Sequence, residues 1–328
     1  MLLDFFGAFT HFFEITYDSN FVYPYEGDVH EFVNALRHNE KPAIDPINEY
    51  KYKFVINNPQ KCIDTAYNTF RVVYVVKSAI ENFERRLTIR NSWGFENRFF
   101  DVPARTIFML GVHPHDDELQ ARVKIEAAKY KDVIQADFID SYYNNTIKTM
   151  MSFKWLVKHC PNSKFYMFVD DDIYVSVKNV LRFVRNPANY PDYLKEPKKF
   201  EDVRLFAGFV FVSSPHRHKS SKWYVPLSEY PYHLWPPYIS AGAYILSKEA
   251  FLDMYYTSFY TKHFRLDDIF LGLVAKKAHI EPFHCEEFHF RKKDYTKFNY
   301  KYVVTSHGYG NPNELLNVWN EQKGLGNA

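Results

Sequence analysis

Apolar residues recur along the chain in two registers. Phe70 to Val76 is a run of β-branched and aromatic residues, the pattern of a strand buried on both faces. Thr106 to Leu110 and Lys164 to Val169 read the same way, and Val133 to Phe138 as a shorter strand. Between them the apolar period lengthens to that of helices. One is expected from Ser78 to Arg90, with Ser78 as N-cap and Glu81 completing a capping box. Others are expected from Glu118 to Lys131 and from Asn144 to His159. Strand and helix alternate, which predicts βαβ units and a mostly parallel sheet. In such sheets ligands sit beyond the C-terminal strand ends. Residues 1–65 lack strong periodicity and contain Pro42, Pro46 and Pro59, so they read as an N-terminal extension or stem, with the folded domain over 66–328.

Composition narrows the class. Of 328 residues 46% are hydrophobic, enough for a sizeable core, and aromatics reach 19%, a mild bias towards carbohydrate binding. A net charge of +2 argues against a nucleic-acid partner. The three cysteines (Cys62, Cys160 and Cys285) form no metal-binding spacing. Asn144-Asn145-Thr146 is a glycosylation sequon if the chain enters the secretory pathway. No segment reads as a membrane span. The apolar N-terminus lacks the basic flank and length of a signal or anchor, so a soluble chain is expected, with a truncated start as the alternative.

The candidate chemistry begins at Asp170-Asp171-Asp172, directly after an apolar strand. Adjacent carboxylates repel and need a compensating cation, and their oxygens suit Mg²⁺ or Mn²⁺. The alternative is a solvated acidic turn, or caps for a helix over Val175 to Val184. Arg86 and Arg90 lie four apart on one helical face, which fits either an anionic ligand or a solvated basic face. Asp267-Asp268 either caps a following helix or supplies a base.

Several ordered blocks resemble the β-1,3-galactosyltransferase family: Arg85-Arg86-Leu-Thr-Ile89-Arg90-Asn-Ser-Trp93-Gly94, Asp140 to Thr149, the Asp triplet, Trp235 to Ser247, Asp267-Asp268 to Gly272, and Ser306-His307 before Leu315 to Trp319. The sequence departs from the family at Phe168, Ala241, Ala243 and Asp267. The resemblance implies a GT-A fold, that is, a single Rossmann-like α/β domain with a mostly parallel central sheet flanked by helices. It implies an inverting, metal-dependent transfer of galactose, GlcNAc or GalNAc from a UDP-sugar donor to a glycan acceptor on protein or lipid, forming a β-1,3 linkage.

Residue by residue, the resemblance implies Asp170, Asp172 and His307 as ligands of Mn²⁺, or alternatively Mg²⁺, with His284 and His289 competing for the histidine role. Asp268 is implied as the catalytic base. Arg86, Arg90, Asp171 and Lys148 are implied on the donor. Trp93, Tyr238, Ser240, Gly242 and Asp267 are implied in the pocket wall, although Trp93 also reads as core and Lys148 as surface. A Cys62–Cys160 bridge and membrane-associated residence in the Golgi lumen also follow by analogy. The other class of function is a non-catalytic chaperone or lectin-like relative, which has no need of the triplet, Asp268 and His307 together.

Overall fold

The computed structural model describes residues 5–22, 27–64, 66–99, 101–192 and 204–328. Four parallel strands make the centre of the sheet. They are β2 (Phe70–Lys77), β3 (Ala104–Val112), β4 (Val133–Ile139) and β5 (Ser163–Asp170). Their apolar runs are continuous because both faces are covered. Antiparallel strands extend the sheet: β1 (Phe54–Ile56) on the β4 edge, then β8 (Tyr238–Ser247) beside β5 and β7 (Phe206–Phe211) beyond it. With β9 (Phe283–His284), the order is β1-β4-β3-β2-β5-β8-β7-β9. A small second sheet joins β10 (Phe288–His289), β11 (Thr305–Ser306) and β6 (Tyr174–Val175).

Side-chain alternation along β2 divides the core. Val73 and Val75 point to one face, where they pack with Phe153, Trp155, Phe251 and Leu271. Those residues come from α4 (Asn145–His159), α6 (Lys248–Ser258) and α7 (Asp267–Lys277). Val72, Tyr74 and Val76 face the other layer and meet Ile89, Val180, Phe183 and Trp319. These belong to α2 (Phe83–Arg90), α5 (Val177–Arg185) and α8 (Pro312–Gly324). On the same sheet α3 (Asp117–Tyr130) buries Leu119 and Val123 against Leu110. This is the α/β arrangement the resemblance implies, with helices on both faces of a mostly parallel sheet.

Two local expectations are corrected. The helix expected from Ser78 starts at Phe83, with Asn82 at its N-cap. The Ser78 hydroxyl donates to Asp171 Oδ2 at 2.7 Å and accepts from Arg86 Nη1 at 3.0 Å rather than from a helix amide. The cap of α5 is Ser176, whose Oγ accepts from the Asn179 amide at 3.1 Å, so the Asp triplet is not a helix cap. The N-terminal extension or stem before residue 66, where it is described, packs on the rest of the chain. β1 is an edge strand, α1 (His30–Arg37) packs on α6, and Arg37 pairs with Glu249 at 2.6 Å. Cys62 is bridged to Cys160, with Cα atoms 5.2 Å apart, and Cys285 is free. Among the described residues no helix is long and apolar enough to cross a membrane.

Candidate active site

Chain order places the site. From β2 the chain steps outward to β3 and β4, then returns to the opposite side of β2 as β5. The crevice where that direction reverses lies at the C-terminal ends of β2 and β5, the usual ligand position in open α/β sheets. Lys77 and Asp170 end these strands and are register partners.

Around this crevice the structure gathers Asp170, Asp172, His307 and Gly242. His307 Nε2 lies 3.4 Å from Asp172 Oδ2, and both side chains are partly exposed. A Cβ built on Gly242 stands 3.6 Å from His307 Cδ2 and 3.8 Å from Asp170 Oδ2. A bulkier residue there would fill the space between the two donors. Ser240, Gly242 and His307 line one narrow cleft with Ile173, Phe209 and His289. Burial pushes the Asp170 carboxyl up to about 7 against the pull of Lys77, helped by the negative charges of Asp267 and Asp172. A half-buried acid pair facing an imidazole is a donor set that favours a cation. Among the described residues no group of three or more His, Cys, Asp or Glu side chains stands close enough together to hold a metal ion. His284 Nδ1 accepts from the Val210 amide at 3.1 Å, and His289, although it lines the same cleft, has its Nε2 3.2 Å from Glu287.

Asp267 and Asp268 open α7 but play different parts. Asp267 is buried and receives Lys77 Nζ at 2.8 Å and Thr149 Oγ1 at 3.2 Å. It is therefore a brace behind the pocket, and neither acid is the helix cap, a position held by Leu266. Asp268 is half-buried; burial, and next the charge of Asp267, push its carboxyl up to about 7. Gly272 lets this helix lie close to β8, because a Cβ there would come within 2.6 Å of Tyr238 Cβ. Tyr238 Oη lies 2.8 Å from Ser213 Oγ, fixing that wall.

The basic residues expected on the donor have partners within the protein. Arg86 is fully buried, and its Nη2 meets Glu126 Oε2 at 2.8 Å. Its remaining donors reach the carbonyls of Ala79 at 2.7 Å and Ile80 at 3.1 Å. Arg90 forks onto Asp132 at 2.7 and 2.8 Å and reaches Glu126 at 2.8 Å. Both therefore clamp α2 to α3; Arg86 has all five N–H donors taken within the protein, and Arg90 three of its five. Lys148 is buried, giving its ammonium to the Ser78 carbonyl and Asp140 Oδ1, each at 2.7 Å. Asp171, expected near the sugar or ribose, accepts from Ser78, Asn82 at 2.9 Å and Arg85 at 2.9 Å, which pins the β2–α2 turn. Trp93 is core, and its indole donates to the Ile173 carbonyl at 3.1 Å, beneath the triplet.

Two residues at the crevice went unassigned in the sequence, Lys77 and Arg85. The signal for Lys77 is a lysine ending an otherwise apolar buried strand. Arg85 offered none beyond its place beside Arg86. A larger cavity of about 700 Å³ opens at the other end of the sheet, near Phe70, Pro103 and Lys164. It lies at the end of β2 and β5 opposite Lys77 and Asp170.

A mostly parallel α/β sheet with paired carboxylates at its switch point and an acid on the facing helix is the layout of a glycosyltransferase. Residues 84–286 match the galactosyltransferase family. The chain is 39% identical over 322 residues to the β-1,3-galactosyltransferase brn of Drosophila melanogaster, covering 98% of this chain and 92% of that one. With β-1,3-galactosyltransferase 1 of Homo sapiens it shares 34% over 276 residues, 84% of this chain and 80% of the relative. With β-1,3-galactosyltransferase 2 of Mus musculus it shares 29% over 292 residues, 88% and 66% of the two chains. The chain belongs to the galactosyltransferase family, and its kinship lies with the β-1,3-galactosyltransferases. It is a transferase.

Proposed function

We propose that the chain is an inverting, divalent-metal-dependent β-1,3-glycosyltransferase that takes galactose from UDP-galactose, with UDP-GlcNAc and UDP-GalNAc as the other donors to test. The acceptor is a hydroxyl of a glycan on protein or lipid. The observation that carries this reading is the grouping of Asp170, Asp172 and His307 around Gly242, with Asp268 at the start of the facing helix.

Asp170, Asp172 and His307 would hold the ion, and their oxygen and imidazole donors suit Mn²⁺ better than Mg²⁺. When bound, such an ion offsets diphosphate charge and stabilises the departing UDP. The chain's own residues do the rest. Asp268 takes the proton of the acceptor hydroxyl as its oxygen bonds to the anomeric carbon. The bond from that carbon to the UDP oxygen breaks in the same displacement, inverting the centre, and the proton passes from Asp268 to solvent. Lys77 stays charged because Asp170 and Asp267 together outweigh the burial that opposes its charge. It holds both carboxylates in place. Residence in the Golgi lumen is part of this proposal by analogy with the family.

UDP release tests the reading, with UDP-galactose, UDP-GlcNAc and UDP-GalNAc assayed separately on an acceptor panel, with Mn²⁺ or EDTA. The expected result is metal-dependent release with one donor, abolished in Asp172→Ala and Asp268→Asn. UDP binding without turnover for any donor would favour the non-catalytic relative. Absence of UDP binding would overturn both readings.

A further inference from the structure

We infer that Trp223 and Tyr142 form an acceptor subsite, a wall on which the reactive hexopyranose of the acceptor stacks beside Asp268. The inference rests on the transferase reading above and adds to it the residues that receive the second substrate.

The chain has five tryptophans. Trp93, Trp155, Trp235 and Trp319 are at most 3% exposed, whereas Trp223 is 41% exposed and Tyr142 is 47%. Large aromatic surface left open to water is costly unless something covers it. This pair is also held in place, since the Trp223 indole N–H donates to Tyr142 Oη at 2.8 Å across 81 residues. Lys222 Nζ stands 4.6 Å from the Trp223 ring centre and 5.1 Å from that of Tyr142, placing an ammonium donor at the same surface.

Two separate fastenings bring the pair to the base. Tyr142 lies just past the C-terminal end of β4, at the sheet edge that bears Asp170, and Thr146 Oγ1 ties this segment to the Phe264 carbonyl at 2.7 Å. Trp223 lies in the loop between β7 and β8, where Arg265 binds the Tyr224 carbonyl and Glu229, the latter at 3.0 Å. Both ties therefore end on Phe264-Arg265, three to four residues before Asp268. Burial raises the Tyr142 phenol, and the carboxylates of Asp268 and Asp267 add to that rise, which agrees with a short separation.

The chemistry fits a sugar. Pyranose rings present a face of C–H groups that packs on an aromatic surface, while their rim of hydroxyls needs donors and acceptors. Trp223 and Tyr142 supply the surface, and Lys222 and Tyr142 Oη supply the rim contacts. A wall of this kind selects the acceptor and leaves the donor's diphosphate untouched.

The test uses the full chain and two measurements. Because the other four tryptophans are buried, tryptophan emission that responds to added saccharide reports Trp223. Methyl β-galactopyranoside, methyl β-glucopyranoside and methyl β-GlcNAc are titrated with UDP and Mn²⁺ present. A saturable change is expected with at least one of them, absent in Trp223→Phe. In the transfer assay Trp223→Ala should raise acceptor KM about 3- to 10-fold, the scale of one aromatic contact. Donor KM and thermal stability should stay unchanged, and Trp223→Tyr should retain most of the affinity. Transfer with an unaltered acceptor KM in Trp223→Ala overturns the wall and leaves the transferase reading intact. A saccharide response in a protein that transfers nothing overturns the transferase reading and supports the wall.

Discussion

Lys77 Nζ lies 2.8 Å from Asp267 Oδ2, joining the end of β2 to the start of α7 across 190 residues. The same ammonium lies 3.1 Å from Asp170 Oδ1. One buried cation therefore sets the spacing between Asp170 and the helix that carries Asp268. Lys77→Met leaves two desolvated carboxylates facing each other. A loss of about 3–5 kcal/mol is expected, the cost of breaking a buried pair from one side. Lys77→Met combined with Asp267→Leu should recover most of that stability without restoring turnover. Urea denaturation and UDP release measure the two effects separately, and full activity in Lys77→Met would remove the spacing role.

Arg86 is held by Glu126 and two carbonyls, so its substitution acts on the fold rather than on the donor. Arg86→Ala strands Glu126, a carboxylate whose burial is offset by Arg86 and Arg90. The expected cost is again about 3–5 kcal/mol. The fraction that remains folded should show the wild-type donor KM. A raised donor KM in a fully stable variant would return Arg86 to the ligand.

These two residues also show what the sequence could and could not convey. The buried strands were legible because parallel strands covered on both faces read as unbroken apolar runs. The carboxylates of Asp170 and Asp172 were legible because a strand end is a fixed place in the fold. Partners distant in sequence were not. The i, i+4 spacing of Arg86 and Arg90 is the same whether the anion opposite is a phosphate or Glu126 and Asp132. Ser78 and Glu81 satisfy a capping box locally, but the Ser78 hydroxyl goes to Asp171, 93 residues on. Lys77 acquires a role only once β2 pairs with β5. The three residues of β1 are too few to show a period, so the sheet edge at Phe54–Ile56 was hidden in a segment read as stem.

The Cys62–Cys160 bridge closes a loop of 98 residues. Restricting the unfolded chain over such a length is worth about 2–5 kcal/mol. Cys160 lies just before β5 begins at Ser163, whereas Asp170 ends the strand, so the bridge is a strand's length from the chemistry. Replacing both cysteines by serine should therefore lower the free energy of unfolding by that amount and leave donor KM unchanged. Non-reducing peptide mapping should find Cys285 as the free thiol, and both other thiols free would end the argument.

Asp268 couples function to stability through one ionisation. Its carboxyl is pushed up to about 7, first by burial and then by Asp267, whereas an unfolded aspartate titrates near about 3.9. A carboxyl whose folded value is the higher one contributes stability below the unfolded value and loses it as pH rises through about 7. In the proposed mechanism Asp268 works only when ionised, so kcat/KM should fall as pH drops below about 7, the same range in which the fold gains. Asp268→Asn removes both effects. It should cost about 10²–10⁴-fold in kcat and abolish that limb of the pH profile. The variant should also melt roughly 2–5 °C higher than the wild type at pH 8, with the gap closing near pH 4. Differential scanning calorimetry of the metal-free proteins at the two pH values reads the gap directly. A variant that is inactive but equally stable at both would mean that Asp268 sits at its ordinary value. Its role as base would then rest on position alone.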